Sequence, residues 1–330
     1  MKQYHPPFSI TNQMLDLVSS IMEKVGNLDH YDNLNKMPIL RKNNQICSIH
    51  SSLAIEANSL SLNQVKDVID GKFVIGEQKE IQEVKNAYKA YNTMEDLDPY
   101  SMEDLKKIHG VLTYLTVDES GVFRKGNEGV FDGDKCIFMA PKPEMVEPLM
   151  SQLFVWMENN KEQLHPLILS SIFHYELVFI HPFCDGNGRT ARLWQNVILS
   201  NWKGIFSYVP IESQLRKYQE DYYRAIDRCN KAGNSNEFIE FMLKMIDEVL
   251  AQFVKSTNQE MYSYNKYVKR LLEIMDYNIP MSANEIMEKL GIKSKETLRN
   301  TYLDPAIKSG LIKRTIPDKA TSKNQMYYKV

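Results

Sequence analysis

The chain has 330 residues, 43% of them hydrophobic, which is enough for one large packed domain and a smaller one. The formal net charge is −2, and the longest apolar stretch, residues 167–180, is interrupted by His174 and Glu176. This stretch is too short to span a bilayer, so the sequence predicts a globular protein without a membrane anchor.

Residues 1–10 contain no charged region followed by an apolar run, so the sequence predicts no secretory signal. The four cysteines are widely spaced and form no CxxC pair. This spacing favours reduced thiols over a disulfide framework or a zinc site, and we therefore expect a cytoplasmic protein.

Apolar residues recur at helical spacing along most of the chain, which predicts a mostly α fold. Ser61 and Ser101 each precede an apolar segment and are typical helix starts. Residues 121–143 differ, because glycine and proline separate short apolar pieces there, and this pattern predicts a β-hairpin. The predicted helices of this part of the chain cover residues 12–25, 46–56, 62–69, 79–94, 102–115, 144–157, 166–180, 187–202, 213–229 and 236–254.

From about residue 266 the pattern is that of a small winged helix-turn-helix domain. Its predicted elements are a first helix, then Ser282–Leu290, Gly291, Ser294–Ile307, and two strands at 311–314 and 326–330. The loop between the strands, with Pro317, Asp318 and Lys319, would form the wing. We therefore expect three regions: an amino-terminal helical region (1–100), a catalytic core (101–255) and the winged helix (256–330).

Basic residues are concentrated in this last region. The final seventy residues contain 13 lysines and arginines against 7 aspartates and glutamates, a net charge of about +6. A basic winged helix most often binds DNA, but such domains also bind proteins or dimerise, so residues 260–330 predict either a DNA partner or a protein or dimer partner. The candidate contact residues are Thr297, Arg299, Asn300 and Lys308 on the second helix and Lys313, Arg314, Lys319 and Lys323 on the wing.

The segment 181–192 reads HPFCDGNGRTAR and follows the predicted helix 166–180. Pro182 forbids a simple continuation of that helix, whereas Gly186 and Gly188 permit positive φ before the next helix begins. Backbone N–H groups then converge at a helix amino terminus, which is a seat for phosphate groups.

Charged side chains complete this predicted nucleotide site. Arg189 and Arg192 are three residues apart, share one face of the new helix and can bind phosphate oxygens. Asp185 would repel phosphate unless a cation bridges them, so we assign it to Mg²⁺. His181 is mostly neutral near pH 7 and can accept a proton from an attacking hydroxyl, which makes it the candidate general base.

The segment resembles the Fic family motif HPFx(D/E)GNGRxxR at every fixed position. The resemblance implies a Fic-type helical bundle with a β-hairpin flap. It implies an enzyme that transfers AMP from ATP to a Ser, Thr or Tyr hydroxyl of a target protein or of the chain itself. It also implies that Asn187 contacts phosphate and that Phe183 packs inward to anchor the loop. The nucleotide-binding residues expected in the motif are Asp185, Gly186, Asn187, Gly188, Arg189, Thr190, Ala191 and Arg192.

Two further segments resemble parts of the Fic family. Tyr222 and Tyr223, followed by Asn230, resemble the pattern on the helix that lines the adenosine pocket, although ordinary packing of a helix face would give the same pattern. The flap, which would cover the nucleotide and dock the target by strand addition, would include Val130, Phe131, Asp132 and Gly133. A purely structural hairpin is the alternative.

An upstream segment resembles the inhibitory motif (S/T)xxxE(G/N) of the family class with an amino-terminal inhibitory helix, here about residues 46–57. Ser52 and Glu56 are four residues apart and share a helix face. The resemblance implies that Glu56 pairs with Arg192 and keeps the γ-phosphate from its productive position. Ala57 stands where the family has glycine, which makes the helix ending uncertain, and a plain exposed glutamate is the alternative.

These residues leave three functional hypotheses. The first is an AMP-transferase inhibited by Glu56, and the second is a deAMPylase in which the same glutamate aligns a water. The third is a DNA-binding regulator that senses nucleotide without transferring it, against which the intact set of motif residues argues. Some relatives with altered loops transfer phosphate, and the unaltered Gly186-Asn187-Gly188 favours AMP.

Overall fold

A computed structural model of the chain describes residues 4–29, 38–132, 135–263, 266–276, 279–308, 311–317, 319, 322 and 324–329. For residues 29, 38–39, 130–132, 135–137 and 255–263 it describes the backbone alone. The chain divides into two compact units, one of residues 1–28 and 44–251 and the other of residues 29–43 and 252–330. The first unit holds most of both the predicted amino-terminal region and the predicted catalytic core.

Helices dominate the chain up to residue 263, as the hydrophobic periodicity predicts. They are α1 (Asn12–Asp29), α2 (Pro38–Ile55), α3 (Leu62–Ile69), α4 (Gln78–Asn92), α5 (Met102–Leu112), α6 (Pro143–Asn160), α7 (Pro166–Ile180), α8 (Asn187–Trp202), α9 (Ile211–Lys217), α10 (Gln219–Ala232) and α11 (Asn236–Ser263). Short 3₁₀ helices cover Met94–Asp96 and Gly204–Ser207. The helix starts predicted at Ser61 and Ser101 are confirmed, because each side chain accepts a hydrogen bond from the backbone N–H three residues later.

Several predicted helices differ from the structure, among them the one over 236–254, which continues to Ser263 as α11. The helix predicted from residue 46 already begins at Pro38 as α2. The helix predicted over 213–229 is divided into α9 and α10 at Tyr218, whose φ of −114° and ψ of 37° are not helical. The apolar pattern continues through Tyr218, so periodicity alone does not detect a single non-helical residue.

The core of the first unit is centred on α7 and α8. Every residue of α7 from Leu167 to Leu177 is buried, which is expected of a helix that is apolar on nearly all sides. The ring of Trp194 in α8 lies 6.3 Å from that of Phe173 in α7 and 6.2 Å from that of Phe154 in α6. These three helices therefore form a rigid centre, and the loop between α7 and α8 is supported from both sides.

The predicted hairpin is present. Strands β1 (Gly129–Asp132) and β2 (Lys135–Met139) are antiparallel, with Gly129 opposite Met139 and Val130 opposite Phe138. The register shifts after Val130, as at a β-bulge. Of the predicted flap residues, Val130, Phe131 and Asp132 lie in β1, and Gly133 lies outside the described residues.

The second unit contains the helices and strands predicted for the carboxy-terminal region. They are α12 (Lys266–Glu273), β3 (Met281–Ser282), α13 (Ala283–Leu290), α14 (Lys295–Thr297), a π-helical turn (Leu298–Leu303), α15 (Asp304–Lys308), β4 (Ile312–Arg314) and β5 (Met326–Lys329). The strands form an antiparallel sheet in the order β3-β5-β4. Leu271, Ile286, Leu298 and Ala306 are among the residues that fill its core. Asp318 and Lys323 of the predicted wing lie outside the described residues.

The turn between α13 and α14 follows from its residues. Ser282 and Glu285 form a capping box at the start of α13, and Gly291 ends this helix at a φ of 69°. Ser294 then accepts a hydrogen bond from the Thr297 N–H and begins the next helix. In the described part of the chain, no helix is both long and apolar enough to cross a membrane.

Candidate active site

His181 ends α7 in an unusual backbone conformation. Its φ of 52° and ψ of 58° are left-handed, and its N–H donates to the Leu177 carbonyl. This conformation costs a non-glycine residue about 1–2 kcal/mol, and it turns the chain out of the helix at once. His181 Nδ1 lies 3.3 Å from the Val178 carbonyl oxygen, which puts the ring proton on Nδ1 and the lone pair on Nε2. Burial lowers the pKa of His181, so the imidazole is a neutral base at pH 7.

The loop after His181 is held by Phe183 and Asn187. Phe183 is fully buried, as predicted, and stacks on the His109 ring with the centroids 3.6 Å apart. The Asn187 amide accepts from the Phe183 N–H at 2.9 Å and donates to the Phe183 carbonyl at 2.7 Å. These two bonds use both polar atoms of the Asn187 side chain. Asn187 therefore fixes the loop, and its amide keeps a second N–H for the predicted phosphate contact.

Helix α8 begins at this loop and presents an open amino terminus. Gly186 precedes the helix with a φ of 79°, a conformation that glycine adopts without strain, and no side chain caps the helix there. Uncapped N–H groups at a helix start attract anions. Thr190 and Ala191, which were also predicted to bind nucleotide, are fully buried, so their side chains do not face an open site.

Arg192 on the first turns of α8 is bound by the end of α2. Its Nη2 lies 2.7 Å from Glu56 Oε1 and 2.9 Å from the Ser52 carbonyl oxygen. Its Nε donates to Ser52 Oγ at 3.0 Å. The side chain of Arg192 is only 1% exposed. The structure therefore brings together the predicted trio of Ser52, Glu56 and Arg192, and Glu56 is not a plain surface residue.

The Glu56 carboxylate also lies against the start of α8. A Cβ atom added at Gly188 would collide with Glu56 Oε1, so this approach requires glycine at position 188. An anionic group thus lies beside the first turn of α8. A carboxylate is a reasonable stand-in for a phosphate oxygen at such a position.

Helix α2 keeps the ending expected of the inhibitory motif, although Ala57 stands in place of glycine. The Asn58 N–H donates to the Leu53 carbonyl and the Ala57 N–H to the Ala54 carbonyl, both at 3.1 Å. This is the Schellman pattern, and it requires a left-handed residue, which Ala57 supplies with a φ of 65°. The replacement of glycine therefore keeps the helix ending at the cost of backbone strain.

Arg189, the other motif arginine, lies between two carboxylates. Its Nη1 is 3.0 Å from Glu83 Oε1, and its Nη2 is 3.2 Å from Asp185 Oδ1. Glu83 Oε2 accepts from the Asn58 amide at 2.9 Å. Glu83 lies on α4, more than one hundred residues before Arg189, and the sequence analysis did not single it out because no local pattern links the two. Both motif arginines are thus bound by carboxylates from outside the motif.

Asp185 lies at the entrance of the loop with its side chain 47% exposed. Its Oδ1 accepts the Gly186 N–H at 2.5 Å, and its backbone carbonyl accepts from His109 Nε2 at 2.9 Å. The other nitrogen of His109 accepts the Gly121 N–H at 3.0 Å, so the tautomer is fixed. Burial lowers the pKa of His109 to about 4, and the ring stays neutral.

The described residues contain no cluster of three or more metal-ligating acidic, His or Cys side chains. A single accessible carboxylate beside a phosphate seat nevertheless suits Mg²⁺, which takes its remaining ligands from phosphate and water.

The predicted adenosine-pocket residues have different environments. Tyr222 is buried and its hydroxyl lies 2.9 Å from His174 Nε2, while Asn230 accepts from the Tyr175 hydroxyl at 2.9 Å. Tyr223 is 46% exposed, and its hydroxyl donates to the Ile55 carbonyl at the end of α2. Tyr223 is thus the most exposed of the three, Asn230 is half-buried, and Tyr222 is buried.

Comparisons with known proteins agree with this geometry. The model of the Fic/DOC family matches residues 99–199, and that of the Filamentation induced by cAMP protein Fic-like, C-terminal domain matches residues 266–328. The crystal structure of a Fic family protein from Desulfovibrio desulfuricans G20 is 41% identical, covers 99% of this chain and 98% of that chain, and superposes with a TM-score of 0.76.

Curated relatives named protein adenylyltransferase Fic are also similar. The protein from Nematostella vectensis is 29% identical over 75% of this chain and 57% of its own length. The protein from Culex quinquefasciatus is 31% identical over 64% of this chain and 42% of its own length. The chain therefore spans about half the length of the curated relatives it matches.

The strain at Ala57 can be measured. Ala57→Gly should raise the free energy of unfolding by about 0.5–1 kcal/mol, because glycine adopts the left-handed conformation without the penalty that alanine pays. Ala54→Gly, inside α2, is the matched control and should lower the same quantity by about 1 kcal/mol. Urea denaturation of the three proteins gives both values. A lower stability of Ala57→Gly would mean that Ala57 is not strained.

Proposed function

This chain belongs to the Fic/DOC family, and from that premise we propose that it is a protein adenylyltransferase. It would transfer AMP from ATP to a Ser, Thr or Tyr hydroxyl of a target protein. The observation that carries the proposal is the pairing of a neutral His181, with its lone pair on Nε2, and the uncapped amino terminus of α8. Cytoplasmic location remains a prediction.

Each residue of the site would have a separate role in this reaction. The phosphates of ATP would lie over the first turn of α8, where backbone N–H groups, Arg189 and Arg192 neutralise their charge. His181 Nε2 would take the proton of the target hydroxyl as its oxygen attacks the α-phosphorus. The bond from the α-phosphorus to the bridging oxygen then breaks, and pyrophosphate leaves. Mg²⁺ held by Asp185 would supply further positive charge to the phosphates.

We further propose that Glu56 inhibits this reaction. Arg192 would bind the γ-phosphate, yet its guanidinium is already bonded to the Glu56 carboxylate. The same carboxylate lies against Gly188, over the seat that the phosphates need. Productive binding of ATP therefore requires Glu56 to leave.

A deAMPylase is the second candidate function, favoured by the position of Glu56. The Glu56 carboxylate lies against Gly188 and binds Arg192, both in the motif that begins at His181. A carboxylate there could hold a water for attack on the phosphorus of an AMP-modified target, with His181 returning a proton to the leaving hydroxyl.

The contact residues of the second unit support a further partner, duplex DNA. Lys295, Arg299 and Asn300 are exposed on the second helix of the helix-turn-helix, and Lys313 is exposed on β4. Lys293 adds a further exposed charge at the turn. These charges suit phosphate contacts on both sides of a groove.

The role of Glu56 is tested by removing its carboxylate. Glu56→Gly should raise automodification with α-labelled ATP by at least about tenfold, because Arg192 becomes free for the γ-phosphate. The gain should vanish in Glu56→Gly/Arg192→Ala. On a premodified target, the deAMPylase hypothesis expects Glu56→Gly to stop AMP release. Equal automodification by the wild type and Glu56→Gly would refute inhibition by Glu56.

The chemistry is tested in the released form. In the Glu56→Gly background, His181→Ala should abolish transfer from α-labelled ATP and leave the dissociation constant of ATP nearly unchanged, since the phosphates are held by α8. Asp185→Ala should remove the Mg²⁺ dependence of ATP binding in calorimetry. Label from γ-labelled ATP would indicate phosphate transfer instead, and transfer by His181→Ala at the parent rate would exclude this base.

DNA binding is tested with the full chain and a 5′-labelled duplex. Binding should weaken with salt, and Lys295→Glu/Arg299→Glu should lower the slope of log K against log salt by about 2. Lys66→Glu/Lys85→Glu, with both lysines exposed in the first unit, is the matched control and should bind as the wild type does. The proposal is contradicted if the wild type does not bind the duplex, or if the control variant loses as much DNA binding as Lys295→Glu/Arg299→Glu. If Lys295→Glu/Arg299→Glu loses a dimer that the wild type and the control both form, the partner of this surface is a protein.

A further inference from the structure

Arg124 is a buried cation in the loop between α5 and β1. It is only 2% exposed, although a buried charge is costly unless its donors are all bonded. Two of its bonds reach the hairpin. Nη1 donates to the Gly126 carbonyl at 2.7 Å, and Nη2 donates to the Pro141 carbonyl at 2.6 Å. Gly126 precedes β1 and Pro141 follows β2, so one guanidinium joins the two legs of the hairpin.

The remaining bonds of Arg124 reach the backbone that carries the base. Nε donates to the His181 carbonyl at 2.6 Å, and Nη2 lies 3.4 Å from the Ile180 carbonyl. The backbone N–H of Arg124 donates to the Pro182 carbonyl at 2.9 Å. Three consecutive carbonyls around His181 are therefore bonded to this one residue.

The chemistry of this position requires arginine. Carbonyls at the end of α7 have no partner inside the helix and form the negative end of its dipole. The left-handed turn at His181 directs its carbonyl away from the helical ladder. A planar guanidinium can donate in several directions at once, whereas an ammonium group on a flexible chain cannot hold carbonyls on two segments in the same geometry.

We propose that Arg124 is a positioning residue that fixes the base-bearing turn at His181 and the hairpin relative to each other. The proposal rests on the adenylyltransferase function proposed above. Transfer requires the base to meet a target hydroxyl, and a target strand added to the hairpin would bring that hydroxyl. A single side chain thus sets the distance between the base and the docking edge, and ATP binding by α8 does not depend on it.

The charge of Arg124 also acts on the base. Burial lowers the pKa of His181, and the positive charge of Arg124 lowers it further, while the negative charges of Glu128 and Glu56 oppose both. Removal of the Arg124 charge should therefore raise the pKa of His181. The acid limb of the pH–rate profile should then move to higher pH. Loss of packing around His181 would raise the pKa too, so Arg124→Lys, which keeps the charge, is needed to separate the two causes.

The test uses Arg124→Met and Arg124→Lys in the full chain with Glu56→Gly. Arg124→Met removes the bonds and the charge, and we expect kcat to fall at least about 100-fold with KM for ATP within about threefold of the parent. Its acid limb should move to higher pH. Arg124→Lys keeps the charge but not the geometry, so kcat should fall while the acid limb stays near that of the parent. Arg228→Met, at an exposed arginine on α10, is the control and should change neither quantity.

A second readout needs no activity. Hydrogen exchange of the amides of residues 126–129, 138–140, 181 and 183 should be faster in both Arg124 variants and unchanged in Arg228→Met. An NMR titration should give a higher pKa for His181 in Arg124→Met. If the Glu56→Gly parent transfers no AMP, the adenylyltransferase proposal fails. The hydrogen exchange and the NMR titration would still test the positioning role of Arg124. Unchanged exchange and an unchanged His181 pKa would overturn the positioning role. The positioning role would also be overturned if ATP binding fell by as large a factor as kcat, or if both Arg124 variants were unfolded.

Discussion

The structure of the site depends on the sharp turn between two buried helices. Helix α7 is buried along nearly its whole length, and α8 packs against it, so neither can shift without opening the core. His181 ends the first helix in a left-handed conformation, and Gly186 begins the second with a positive φ. A base and an anion seat are thereby held within one short loop. The polar residues around the loop, Asn187, His109 and Arg124, bind its backbone instead of a ligand.

The positive charge of the site is balanced by carboxylates from distant segments. Glu56 at the end of α2 binds Arg192, and Glu83 on α4 binds Arg189. Asn58 connects these segments, since it follows the end of α2 and donates to Glu83. A buried arginine without such a partner would be costly, so the carboxylates stabilise the protein in the absence of nucleotide. Under the proposed function they would also compete with phosphate for the same donors, so stability and activity would make opposing demands on this site.

The sequence predicted most of the fold and the centre of the site. The periodicity gave α3, α5 and α8 nearly to the residue, and the glycine and proline pattern identified the hairpin. The motif identified His181, Asp185 and the two arginines because their order along the chain is itself the geometry of the loop. Long-range contacts were not predictable in this way. Glu83 and Arg124 belong to other segments, and only the folded chain shows that they meet the motif. The predicted ligand roles of Asn187, Thr190 and Ala191 stay predictions: the Asn187 amide binds the loop backbone, and the side chains of Thr190 and Ala191 are buried in the core.

Under the proposed inhibition, the end of α2 would make the contact with Arg192 both specific and reversible. Several bonds hold it: Ser52 and Glu56 bind Arg192, and the Ile55 carbonyl accepts from Tyr223 and Gln219. The left-handed Ala57 stores about 1–2 kcal/mol of strain in the same turn, which lowers the cost of releasing it. A ligand can shift this equilibrium only by its difference in affinity for the two states. In the proposed inhibition, ATP would gain that difference chiefly through its γ-phosphate at Arg192, because the backbone N–H groups at the start of α8 would bind any anion. We therefore expect the balance between a strained helix end and one ion pair to set how much ATP, or how strong a partner, is needed to displace Glu56.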